Sequence, residues 1–220
     1  MPATHIALPT THVTPPWVRG AAVWSAPAEL SRAAGSCAVV RRDGHGLWSG
    51  GMDLHRNVAR ALAAARELGL DLEVRDVPEG ARTAQQAADA VGAPVGAIVK
   101  SLVLASDAGP LMVMTSGANR VSYGKVEAAT GRSGVGRCDA EAARAATSYP
   151  VGGVSPFGHP APLPMLIDRD LLAYDEVWAA AGTPHAVFPI APDDLVHATG
   201  AEPADIAEWG LTPPSPTPRA

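Results

Sequence analysis

The chain has 220 residues, 47% of them hydrophobic and 18% charged, with a formal net charge of −5. That length allows one domain with an extension or at most two small ones, and a core large enough to need neither disulfides nor a structural metal. The acidic balance excludes a protein that grips nucleic acid by bulk electrostatics, and no apolar run reaches the roughly 18–20 residues of a membrane span. Two cysteines, Cys37 and Cys138, stand far apart without metal-ligand spacing. They point to a reducing compartment, hence a cytoplasmic protein, and to no zinc site.

In chain order, residues 1–51 carry five Pro and few charges and show no sustained period, apart from a short strand pattern at Cys37–Arg41. The expectation is a poorly ordered N-terminal extension over 1–51, a folded domain over 52–210, and a disordered Pro-rich tail over 211–220. His55–Leu68 has helical spacing, with Val58, Ala61, Leu62, Ala65 and Leu68 on one face and arginines opposite. Asp71–Val77 alternates as a half-exposed strand. Thr83 caps a second helix through Val91, which Gly92 and Pro94 end. Ile98–Ala105 reads as a strand apolar on both faces, turned by Asp107–Pro110 into a second strand, Leu111–Thr115. Ser122–Thr130 and Asp139–Ala146 read as helices. Met165–Ile167, Glu176–Ala180 and Ala186–Ile190 read as strands, and Pro192–Thr199 as a short helix. Together these predict a mixed α/β domain with hairpins in the middle, without the regular βαβ alternation of a doubly wound sheet.

Only two of the 17 basic residues are lysines, Lys100 and Lys125. Lys100 interrupts the apolar strand Ile98-Val-Lys-Ser-Leu-Val-Leu104, where an unpartnered ammonium costs several kcal/mol or loses its proton more easily. It either snorkels from a strand edge to water or lines a pocket that holds an anionic or carbonyl group. Lys125, with Glu127 nearby on a predicted helix, reads as part of a solvated face. A second feature is Val151-Gly-Gly-Val-Ser-Pro-Phe-Gly158. Its backbone can approach a ligand closely and offer N–H groups to a carbonyl or oxyanion, or it can simply be a tight connection. Ser155 lacks the Gly-x-Ser-x-Gly context, no phosphate loop or dinucleotide fingerprint occurs, and His159, His185 and His197 lack metal-ligand spacing. His185, in Gly182-Thr-Pro-His185 between two predicted strands, is placed for a pocket rim.

The order of these motifs resembles the YbaK/ProX family of aminoacyl-tRNA deacylases, the editing domains related to the insertion domain of bacterial prolyl-tRNA synthetase. The matching pieces are His55-Arg-Asn-Val58, Arg82-Thr-Ala-Gln-Gln-Ala-Ala88, Ile98-Val-Lys-Ser-Leu102, Asn119-Arg-Val121, Tyr149–Gly158, Leu163-Pro164 with Ile167-Asp168, and Ala204-Asp-Ile-Ala207. They cover about residues 53–210. The resemblance implies a compact domain with a curved, mixed, barrel-like β-sheet flanked by helices. It also implies hydrolysis of the ester joining a wrong amino acid to a tRNA 3′ end, with Cys- or Ala-tRNA(Pro) as substrate and prolyl-tRNA synthetase as a partner. By the same resemblance Lys100 matches the family's essential lysine, and Gly152 and Pro156 match the Gly-x-x-x-Pro loop that positions the aminoacyl carbonyl. Gly153, Ser155, His185 and Arg120 are expected to touch substrate. Neither metal nor other cofactor is implied, and no nucleophilic side chain. Where family members often carry a Gly-Lys-Arg-Gly type turn, this chain has Gly182-Thr-Pro-His185, so His185 stands at a basic or specificity-setting position.

Overall fold

The computed structural model describes residues 52–78 and 83–208; the expected extension, its Cys37–Arg41 strand and the Pro-rich tail lie outside the described residues. Helix α1 (Met52–Glu67) buries Ala61 and Ala65 and packs on strand β6 (Val177–Thr183). Leu68, expected on its buried face, is 51% exposed, because the helix stops one residue earlier and Leu68 enters the following turn. The predicted strand over 71–77 is reduced to β1 (Arg75–Asp76), since only those residues pair with β7 (Ala186–Ile190). Leu72 and Val74 still pack against the core. Helix α2 (Ala84–Val91) is capped by Thr83 as expected, and in a full capping box: Thr83 Oγ1 accepts from Gln86 N–H while Gln86 Oε1 accepts from Thr83 N–H.

Strands β2 (Val99–Ala105) and β3 (Leu111–Ser116) form an antiparallel hairpin. Ser122 and Asp139 cap α3 (Tyr123–Thr130) and α4 (Ala140–Thr147) by accepting from the N–H groups of Lys125 and Ala142. Strand β5 (Met165–Asp168) pairs parallel with β3, and α5 (Pro192–Thr199) follows the β6–β7 hairpin. Two strands were not legible in the sequence: β4 (Gly136–Arg137) has only two residues, too few for a period, and β8 (Glu202–Ala204) carries Pro203. A proline is tolerated there because β8 is an edge strand.

One sheet has the order β4-β2-β3-β5-β8 and the other β1-β7-β6. A parallel bridge between Ile98, just before β2, and Trp178 in β6 links the two sheets. They do not form a closed barrel: among the described strands β1, β4 and β8 remain edges. The core lies on both faces of the larger sheet. Val99, Val103, Met112, Met114 and Ile167 face α1 and the smaller sheet, and Phe188 anchors this side. Leu104, Leu111, Val113 and Leu166 face Val126 of α3 and Ile206. Phe188 is fully buried, and Phe188→Ala is expected to cost about 3–5 kcal/mol.

Candidate active site

Strand alternation decides where Lys100 points. Val99 and Val103 occupy the α1 side of β2, which puts Lys100 on the opposite face with Leu102 and Leu104. Its cross-strand partner is Thr115, and the Met114↔Ile167 register carries Asp168 to the end of the same row on β5. The Lys100 Nζ donates to the Gly117 carbonyl at 3.3 Å and to the Asn119 carbonyl, both on the turn that leaves β3. The side chain is therefore half-buried and partnered by neutral carbonyls. Burial pulls its pKa below the usual lysine value; the Asp168 carboxylate works against that shift and the Arg120 guanidinium adds to it. Of the two readings open in the sequence, a snorkel free in water does not fit an ammonium that is half-buried and bonded to two carbonyls.

Asp168 is the polar centre of this row. It is 1% exposed. Its Oδ2 accepts from Thr115 Oγ1 (3.0 Å), Ser116 N–H (3.1 Å) and Asn119 Nδ2 (2.8 Å), and its Oδ1 accepts from Asp170 N–H (3.2 Å). Asn119 Nδ2 also donates to Asp170 Oδ2 at 2.7 Å, while Asn119 Oδ1 is buried without a partner. Sequence reading singled out none of Thr115, Asn119, Asp168 or Asp170 as site residues. The available signal was the carboxylate ending the apolar run Met165-Leu-Ile-Asp168, where only a satisfied charge is tolerated. Arg120, next to this cluster, is exposed.

The glycine loop is built differently. Tyr149 is buried and its hydroxyl donates to the Phe157 carbonyl at 2.8 Å, closing the loop across its base. The Arg60 guanidinium of α1 lies 4.2 Å from the Tyr149 ring centroid, and its Nη2 donates to Ser148 O. Gly152 takes φ +85°, and Gly153 N–H donates to Pro150 O at 3.0 Å. A Cβ on Gly153 would sit 2.5 Å from the backbone of Thr183, so the loop rests directly on the end of β6. Ser155 is fully buried, with its Oγ accepting from Phe157 N–H and its carbonyl accepting from His159 Nε2. Its hydroxyl shapes the loop. Pro156 is buried and, with Leu68, His159, Leu163, Met165 and Ala198, lines a cavity of about 390 Å³ that includes neither Lys100 nor Gly152.

His185 sits in the β6–β7 turn beside Thr183 and Pro184, the residues that Gly153 touches. Its carbonyl accepts from Val77 N–H, and its Nδ1 is buried without a partner. The predicted residues thus fall into two groups: Lys100 with Arg120, and the Gly152–Pro156 loop with His185. Strand β6 connects them, since Trp178 pairs beside Ile98 at one end and Thr183 lies under Gly153 at the other.

Residues 78–198 match the aminoacyl-tRNA editing domain family, a span that contains both groups. The chain belongs to that family. Solved structures agree. The domain is 43% identical to a candidate trans-editing enzyme for prolyl tRNA synthetase, with a TM-score of 0.66 over 69% of this chain and 97% of the other. It is 44% identical to a scaffold protein used to present grafted linear epitopes, with a TM-score of 0.66 and the same coverage. It is also 30% identical to the hypothetical protein APE2540, with a TM-score of 0.63 over 68% of this chain and 99% of that one. The YbaK-like editing fold expected from the motifs is therefore the fold of this editing domain. Among its described residues no helix is long and apolar enough to cross a membrane.

Proposed function

We propose that the protein is a cytoplasmic trans-editing deacylase that hydrolyses the ester of a mischarged tRNA(Pro), with Cys or Ala as the misplaced amino acid. The observation that carries this reading is the family match, which spans Lys100 and the Gly152–Pro156 loop together. The substrate is a carbonyl ester on the terminal ribose. Water adds to the carbonyl carbon, the C–O bond to the ribose breaks, and the leaving oxygen takes up the proton that the water loses. Free amino acid and tRNA with an intact 3′ end result. Such a reaction needs positioning and stabilisation of the developing oxyanion more than a nucleophilic side chain.

Lys100, whose ammonium is held by two carbonyls, is the cation for the terminal nucleotide or for the developing charge. The Gly152–Pro156 loop holds the aminoacyl carbonyl. Because Gly153 N–H and Phe157 N–H are taken within the loop and Val154 and Ser155 are buried, the exposed donor it offers is that of Gly152, and Gly153 and Ser155 contribute shape. His185 Nδ1, buried without a partner next to this loop, is the group that reads the amino-acid side chain. Arg120, exposed beside the Lys100 cluster, meets the phosphate backbone of the tRNA end. With a net charge of −5 the protein binds tRNA weakly and in a salt-sensitive way, so prolyl-tRNA synthetase is the partner expected to deliver it.

The test is a deacylation assay on Cys-, Ala-, Ser- and Thr-tRNA(Pro) with Pro-tRNA(Pro) as control. Wild type should release one wrong amino acid, and Lys100→Ala should not. If wild type leaves every ester intact, with or without the synthetase, the reading is wrong.

A further inference from the structure

The turn that carries the two acceptors of Lys100 is tied at both ends to one oxygen. Ser116, its first residue, and Asn119, its last, both donate to Asp168 Oδ2, at 3.1 Å and 2.8 Å. Gly117 between them donates its N–H to Ile98 O at 2.7 Å. It must be glycine, since a Cβ there would lie 2.2 Å from the Val95 carbonyl. A lysine on a flexible four-carbon stem has no position of its own, so its ammonium stands where these carbonyls put it. Thr115, the cross-strand neighbour of Lys100, donates to the same Oδ2 at 3.0 Å. Three donors around the Lys100 ammonium, from Thr115, Ser116 and Asn119, therefore converge on a single buried carboxylate two strands away.

We propose that Asp168 is a positioning residue for Lys100: it fixes the Ser116–Asn119 turn whose carbonyls hold the ammonium, and it places a negative charge at the end of the row on which Lys100 stands. The inference rests on the proposed role of Lys100 in deacylation. Three charged groups bear on it: Asp168 on β5 and Arg120 on the turn act on Lys100 in opposite senses, and Asp170 reaches the turn through Asn119. A purely architectural role, capping the helical turn Arg169–Ala173 through Asp170 N–H, is the competing account.

Asp168→Asn removes the charge. Its side-chain oxygen, placed at the Oδ2 position, can still accept from Thr115, Ser116 and Asn119. Its NH2 then faces Asp170 N–H, and the cap is lost as well. The readouts at Lys100, and not a loss of stability, therefore separate the two accounts. Full-length protein should be acetylated with acetic anhydride over a pH series and Lys100 followed by peptide mass spectrometry. Because the chain has only two lysines, Lys125 is the internal reference. In Asp168→Asn the Lys100 labelling curve should move to lower pH while that of Lys125 stays in place. On the edited tRNA, kcat should fall about tenfold or more with little change in KM.

Asn119→Ala is the second variant. It removes one strut between Asp168 and the turn and leaves the charge, so kcat should fall while the Lys100 labelling curve moves less than in Asp168→Asn. If either variant loses thermal stability but keeps the wild-type Lys100 curve and kcat below its melting point, Asp168 is architectural and the inference fails. Should wild type deacylate nothing, the functional reading fails, and the labelling curves alone still decide whether Asp168 governs Lys100.

Discussion

Around Lys100 the sheet gathers polar groups in a row, Lys100–Thr115–Asp168, and satisfies each of them from a neighbouring strand or turn. The loop over residues 149–158 is held instead by contact: an aromatic base, a guanidinium lying on it, and a glycine pressed against the backbone of β6. The first arrangement controls the charge and position of one cation, and its parts act over several ångströms. The second controls the shape of a backbone, which nothing acts on except what touches it. Substitutions in the two regions should therefore fail differently. Near Lys100 they should change rate while the protein stays folded, and in the loop they should change both together.

The largest effect expected is that of Lys100→Ala, which should lower deacylation by roughly 10²–10³-fold, the range for removal of one stabilising donor from a reacting centre. Its melting temperature should change little, because the side chain is only half-buried and leaves no charged partner behind. Rate assay and thermal melt on the same preparation check both halves. A variant that loses stability in proportion to activity would erase the distinction between the regions.

In the loop, Gly153→Ala should destabilise by about 1–3 kcal/mol and lower activity as well, since a Cβ 2.5 Å from the Thr183 backbone forces strand and loop apart. Gly152→Ala meets only Pro184, at 3.8 Å, so its cost should be confined to a left-handed backbone at φ +85°, about 1–2 kcal/mol. Urea unfolding of the pair ranks them. If Gly152→Ala proves the worse, close approach to β6 is not what shapes the loop.

Much of this architecture was readable beforehand, and the reasons are local. Thr83 with Gln86, Ser122 and Asp139 announce helix starts through hydrogen bonds that form within three residues. Ala186–Ile190 and Pro192–Thr199 came out with the predicted bounds because period and boundary signals coincide there. What escaped was set by distant partners. Asp71–Val77 has the alternation of a full strand, yet β7 pairs with only two of its residues. The Lys100 and glycine-loop motifs were visible as an odd lysine and a run of glycines. The network that orients Lys100 was not, because Thr115, Asn119 and Asp168 are joined only by a register linking β2, β3 and β5.

His159 offers a milder way to probe the loop. It is half-buried beside Tyr149, and its Nε2 donates to Ser155 O; burial lowers its pKa below the ordinary histidine value, against the pull of that hydrogen bond and with a smaller contribution from Arg60. The folded protein thus binds the proton less readily than the unfolded chain. Stability should be fully present above the unfolded histidine value of about 6.5 and should be lost as pH falls from there through the folded value. His159→Gln should flatten this slope between about pH 7.5 and 5.5, read as urea midpoints of both proteins. A steeper slope in the variant would mean that the folded loop prefers the charged ring.

Lys125 gives the smallest effect and the control for the whole comparison. Sequence reading placed it on a solvated face near Glu127, but Glu127 accepts from Val135 N–H, and Lys125 Nζ reaches both oxygens of Asp205, at 2.8 and 3.0 Å. The Asp205 side chain is 55% exposed, so water and salt screen the pair and its contribution should be about 0.5 kcal/mol or less. Lys125→Ala should leave deacylation at the wild-type rate and shift the urea midpoint barely, with the shift vanishing at high salt. The protein has two lysines, both bonded to oxygen atoms, and only one lies on the row that ends at Asp168. If removing Lys125 slowed the reaction as much as removing Lys100, the rate would be following the protein's overall positive charge, and the arrangement around Lys100 would carry no special weight.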